Sequence, residues 1–178
     1  MITHDRANRL QKAMRTPAGT RARRASVASM HPTAQRLVDR LADRGLTEIE
    51  VRTLSDSART AQLAAEALTV EVGQIVKSLV FLRDGEPVMV LCAGDRTVDA
   101  KRLGLKRADA DRVRAVTGFA IGGIPPLGHA AELPTTIDES LQRFEIVWAA
   151  AGTHHDVFGV RTEALIAALP DADVSAVS

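Results

Sequence analysis

Tyrosine is absent from this 178-residue chain, and aromatic residues make up only 3% of it. A nucleic acid read by base stacking, or a sugar gripped between ring faces, needs aromatic platforms that this composition does not supply. Cysteine occurs once, at Cys92, so no internal disulfide can form and a reducing, cytoplasmic location is expected. No apolar run approaches the ~20 residues needed to cross a bilayer, and the N-terminal stretch lacks the apolar segment of a secretory signal. No membrane partner is expected. There is no GxSxG elbow, and no His, Cys and carboxylate set falls at a chelating spacing, so neither a metal nor a cofactor is expected.

Charge of one sign is scarce only in the sum. The first 30 residues carry seven basic side chains (Arg6, Arg9, Lys12, Arg15, Arg21, Arg23, Arg24) against Asp5, which leaves 16 basic and 21 acidic residues in the remainder. A basic arm therefore precedes an acidic body. With few large apolar residues, the arm has too little to bury to offset its ordering entropy, and residues 1–30 are expected to be a disordered tail. A transit peptide, a later start at Met14 or Met30, and an arm touching nucleic acid phosphates are the other readings. The length and the 46% hydrophobic content fit one domain, placed at 31–170, with 171–178 as a flexible C-terminal tail.

Within that domain the periodicity alternates between helix and strand. Leu37, Val38 and Leu41 recur at helical spacing before Gly45, EIEVRTL (48–54) alternates polar with apolar, and Ser55 to Ser57 can cap a helix ending near Ala67. IVKSLVFL (75–82) and PVMVLCAG (87–94), joined by Arg83-Asp84-Gly85-Glu86, read as a β-hairpin. Helical pieces are expected at 98–103, 109–116 and 162–169, a helical turn at 138–142, and strands at 133–137, 144–151 and 157–160. The class is α+β, with a mixed, partly barrel-like sheet and flanking helices.

Two features stand out chemically. Lys77 interrupts an apolar strand, where an ammonium group must lie at an edge, snorkel, or meet a polar partner. It reads either as an edge lysine that deters aggregation or as a positive charge on a pocket floor. VTGFAIGGIPPLGH (116–129) combines Gly122 and Gly123, free to take positive φ, with Pro125 and Pro126, which fix φ and carry no N–H. It reads either as a plain connecting turn or as a stiff wall offering the N–H groups of Gly122, Gly123 and Ile124 to an oxyanion. Cys92 reads as a small buried thiol. His154 and His155, adjacent on a strand, would point to opposite faces and cannot chelate together, and Asp156 beside them makes no triad without a convergent serine.

TAQLAAEAL (60–68), IVKSLVF (75–81), GDRTVDAKRLG (94–104), TGFAIGGIPPLGH (117–129), TTIDESL (135–141) and the AAAG turn (149–152) follow the order and spacing of the YbaK/EbsC editing domains, and over 33–169 the chain resembles that family. The resemblance implies an aminoacyl-tRNA deacylase, related to the insertion domain of bacterial prolyl-tRNA synthetase, that hydrolyses the ester joining a wrong amino acid to the 3′ end of tRNA. The partners implied are the aminoacyl-tRNA 3′ end and prolyl-tRNA synthetase.

By the same resemblance Lys77 orients the terminal phosphate or ribose. The Gly122-to-Pro126 loop lines the amino-acid pocket, with Gly122, Gly123 and Ile124 supplying backbone amides to the carbonyl, and water rather than a side chain attacks. Thr60, Ser78, Pro125, Pro126, His129, Ala150, His154 and His155 are the candidate substrate-binding residues. Asp95, Arg96, Asp99 and Lys101 are placed to form a supporting ion network. Ala150 and Val157 stand where the Cys-tRNA(Pro) deacylases carry serine and aspartate, so a pocket for a small aliphatic amino acid such as alanine or 2-aminobutyrate is expected. The rival reading is a non-catalytic module of the same fold that binds tRNA ends or a synthetase.

Overall fold

The computed structural model describes residues 30–54 and 60–178. The expectation of a disordered arm at 1–30 falls almost wholly outside those residues, as does the helix cap at Ser55 to Ser57. Among the described residues there are four α-helices and eight strands: α1 Pro32–Asp43, β1 Glu50–Thr53, α2 Ala61–Leu68, β2 Ile75–Arg83, β3 Glu86–Ala93, β4 Lys106–Arg107, α3 Ala110–Thr117, β5 Thr135–Asp138, β6 Ile146–Ala150, β7 Asp156–Arg161, α4 Thr162–Ala167 and β8 Asp173–Ser175.

Local chemistry explains the boundaries. The His31 imidazole accepts from the Thr33 N–H, Pro32 supplies a preset first turn, and Gly45 leaves α1 at φ +83°. Thr60 caps α2 by accepting from the Leu63 N–H. The β2–β3 hairpin turns on Asp84 and Gly85, both at positive φ (53° and 90°), the conformation that matches the right-handed twist of its strands.

All eight strands form one mixed sheet in the order β1-β7-β6-β2-β3-β5-β8, with β4 pairing on β2. The hairpins are antiparallel, while β2 with β6, β3 with β5 and β5 with β8 are parallel. This is the α+β class expected from the interspersed periodicities, and the described pairing path runs open from β1 to β8.

Two expectations are corrected. Residues 98–103 form turns rather than a helix: Gly104 takes φ +65°, and Leu105 drops into a small core before the chain joins β2 as β4. Residues 171–178 are not a loose tail. Asp173–Ser175 adds a strand to β5, and Val177 is fully buried, because the far face of the β2–β3 hairpin carries apolar side chains that need a cover.

The hairpin separates two cores. Val76 and Val80 of β2, with Met89, Leu91 and Ala93 of β3, face the main core under α1 and α4. The alternate residues Leu79, Phe81, Val88, Val90 and Cys92 face a second one, completed by Leu105 and Val177. Lys77, paired in register with Cys92, points to that second face.

Candidate active site

The glycine-proline loop begins where Gly118, at φ +81°, ends α3. A tight turn follows: Gly122 sits at φ +91°, and the Gly123 N–H donates to the Ala120 carbonyl at 3.0 Å. Of the three amides expected to be free, Gly123 is therefore used inside the turn. The N–H groups of Gly122 and Ile124 make no hydrogen bond to another described residue. Gly122 is exposed, whereas Ile124 is buried and sends its side chain into the main core.

Pro125 and Pro126 are buried and carry no N–H, so no backbone ladder can hold this segment. A side chain does so instead: His129 Nε2–H donates to the Pro125 carbonyl at 2.7 Å, and the imidazole meets Phe119 edge to face. Burial pushes the His129 pKa below its usual value, with the Pro125 hydrogen bond opposing. The exit is braced from α1, where Arg40 donates to the Gly128 carbonyl at 2.8 Å and Leu37 lies so close that a Cβ on Gly128 would sit 2.8 Å from it.

Facing the diglycine corner is the loop between β6 and β7. A Cβ on Gly123 would stand 2.9 Å from the Thr153 backbone, and one on Gly122 would stand 2.8 Å from the His154 ring. Only glycine permits this approach. The loop is anchored by Asp156, a buried carboxylate that accepts from the Thr53 and Thr153 hydroxyls, each at 2.7 Å. The Thr153 hydroxyl oxygen in turn accepts from the backbone N–H of His155 and of Asp156. His154 and His155 thus lie in a connection rather than on a strand. His154 is exposed at the corner, and the His155 carbonyl accepts from Leu54.

Lys77 is half-buried at the other side of β2. Its ammonium donates to the Arg96 carbonyl and, at 3.4 Å, to that of Gly94. An ammonium has three N–H donors, which leaves one. Beneath it burial pushes the Cys92 thiol up to about 11, the nearby Lys77 charge opposing and Asp138 adding to the rise. That thiol is the inert buried group expected.

The contacts of Lys77 and those of the diglycine corner share no residue. Ser78 faces the main-core side, its buried hydroxyl without a hydrogen-bond partner among the described residues. Thr60 serves the start of α2, and Ala150 pairs with Val157 at the end of β6. The expected ion network does not assemble: Asp95 pairs with Arg143, at 2.9 and 3.0 Å, and Asp99 with Arg102. Asp138 also escaped the sequence reading. It is buried and accepts from the N–H groups of Ala93 and Ser140, tying β3 to β5, but a lone Asp after a short strand carries no signal of that. A cavity of about 300 Å³ lies behind the loop, between Arg44, Pro126, His129, Glu132 and Leu169.

A mixed sheet with a lysine on one face of its central hairpin and a stiff diglycine loop packed into the main core matches one class of protein. The aminoacyl-tRNA editing domain family matches residues 55–168, well over half of the chain, and the chain belongs to that family. A solved structure described as a proposed trans-editing enzyme for prolyl tRNA synthetase is 40% identical, with a TM-score of 0.78, over 84% of this chain and 99% of that one. The proposed Cys-tRNA(Pro)/Cys-tRNA(Cys) deacylase EbsC of Enterococcus faecalis is 28% identical over 63% of this chain and 73% of its own. A proline–tRNA ligase of Citrifermentans bemidjiense is 37% identical over 100 residues, which are 51% of this chain but only 18% of the ligase.

Proposed function

We propose that this chain is a trans-editing deacylase that hydrolyses the ester of mischarged aminoacyl-tRNA, with tRNA(Pro) carrying a small amino acid as the substrate to test first. The observation that carries the reading is the diglycine corner. Its turn uses the Gly123 amide internally and leaves those of Gly122 and Ile124 without an acceptor among the described residues. In the attack of water on an ester carbonyl, negative charge builds on the carbonyl oxygen, and each preorganised donor aimed at it lowers the barrier by about 3 kcal/mol.

Lys77, with one donor to spare, takes the 3′-terminal phosphate or ribose, and the substrate's own ribose hydroxyl helps to place the water. No side-chain nucleophile is required. Burial of the Cys92 thiol, with its raised pKa, fits that reading because a neutral thiol is a poor nucleophile. Of the three alanines at the end of β6, Ala149 and Ala151 are buried in the main core, and half-buried Ala150 is the small side chain that suits a small aliphatic amino acid over a larger one, although such pockets separate one methylene by only ~1–3 kcal/mol.

The test is single-turnover deacylation of a panel of mischarged tRNAs, with and without Lys77→Ala. Hydrolysis of Ala-tRNA(Pro) that drops at least a hundredfold in the variant supports the reading. Binding of every tRNA without hydrolysis would instead establish the non-catalytic module.

A further inference from the structure

We infer that the C-terminal strap, residues 173–177, is a positioning element for Lys77; the inference rests on the deacylase reading for its functional consequence but not for its geometry. The strap begins as β8, parallel to β5 with Thr136 opposite Asp173, Ile137 opposite Val174 and Asp138 opposite Ser175. Beyond the sheet edge it crosses to the second core, where Val177 is fully buried among Phe81, Val88, Val90, Cys92 and Leu105. Among the described residues, the hydrogen bonds that tie it there go to one segment. The Asp99 N–H donates to the Val177 carbonyl at 2.8 Å, and Arg102 Nη2 donates to the carbonyls of Ala176, at 2.8 Å, and Ser178, at 3.4 Å. Arg102 is itself held by Asp99, whose carboxylate accepts from the Arg102 backbone N–H at 3.0 Å.

That segment is the continuation of the turn whose Gly94 and Arg96 carbonyls hold the Lys77 ammonium. It has no helix or long strand of its own; between Gly94 and β4 it consists of turns. Its first residues are tied by the Asp95–Arg143 ion pair, and the rest is positioned by the core it covers. Val98, Ala100 and Leu103 pack on the second core, in which Val177 is buried. Lys77, Leu79 and Phe81 share this face of β2, so the strap, the segment and the lysine form one continuous stack. The strap lies beyond residue 168, where the family match ends.

The experiment combines kinetics with a probe that needs no catalysis. Lys77 is one of four lysines in the sequence, so reductive ¹³C-methylation gives few resonances, and the Lys77 signal is assigned with Lys77→Arg. Val177→Ala is expected to shift the Lys77 resonance toward that of an exposed lysine and to lower kcat about tenfold with a smaller change in KM. In a Lys77→Ala background the same substitution is expected to change the rate less than twofold, because coupled residues are non-additive. Arg102→Gln, at a half-exposed site, repeats both effects at smaller size should Val177→Ala fail to fold. An unshifted Lys77 resonance in both variants, or losses that multiply with Lys77→Ala, would overturn the inference. A shifted resonance in a protein that hydrolyses no aminoacyl-tRNA supports the strap and removes the deacylase reading instead.

Discussion

The diglycine corner and the Lys77 turn are held in place in opposite ways. The corner is stiff because of its own covalent make-up: glycines that alone tolerate the φ values and the close approach of Thr153 and His154, and prolines that restrict what remains. The lysine sits on carbonyls of a segment without regular structure, held by residues far away in sequence. Rigidity in one region starts from its own backbone, with braces from α1 and the β6–β7 loop added, and in the other it is borrowed. A single substitution should therefore damage the first most when it falls within the loop, but the second also from a distance.

The sharpest challenge to that contrast is Gly94→Ala. A Cβ there would stand 2.1 Å from the Val72 carbonyl oxygen, a backbone atom that cannot rotate away. A destabilisation of about 3 kcal/mol or more is expected in denaturant unfolding, together with loss of activity. Next comes Lys77→Ala, for which at least a hundredfold slower deacylation, equivalent to about 2.7 kcal/mol, is expected with little change in Tm. Equal losses of rate and of stability would show that the lysine is structural.

His129 tests the corner itself. His129→Phe keeps a ring against Phe119 but removes the donor to Pro125, and a cost of about 1 kcal/mol is expected, partly recovered in His129→Gln. The same residue gives a pH signature. Because burial lowers its folded pKa, stability is complete above the ordinary imidazole range. It is lost as the pH falls, since the unfolded chain takes up the proton first. Arg44, Glu132 and Asp171 line the same cavity, so the slope of Tm between pH 7.5 and 5 should be read against His129→Gln, which flattens it. The smallest effect belongs to Ile121, 55% exposed at the tip of the turn. Ile121→Ser is expected to move stability by less than about 0.5 kcal/mol, so that a change in KM with no change in Tm would mark it as a substrate contact.

The corner was legible in the sequence because glycine and proline state their backbone constraints directly. The hairpin was legible because two apolar runs flanked a two-residue turn, Asp84-Gly85, that favours positive φ. What surrounds Lys77 was not. Its partners are main-chain carbonyls, which any residue supplies, so Gly94 and Arg96 leave no trace in residue type. Asp95 gave a similar difficulty: nothing nearby in the chain announces Arg143, 48 positions away. Residues 98–103 looked helical from spacing alone, but tertiary burial of Leu105 and Val177 decided their course. The short, polar end of the chain suggested looseness for the same reason, since the cavity it fills is built by other strands.

Among the described residues the open sheet ends in a four-residue β1 on one side and a three-residue β8 on the other. On the first, Glu50 and Arg52 pair at 2.7 Å, and the guanidinium lies 4.9 Å from the centre of the Trp148 ring, covering apolar surface with charge. Rails so brief and so polar give a second copy little to zip onto, and the molecule is thereby guarded against fibril-like self-association at high concentration.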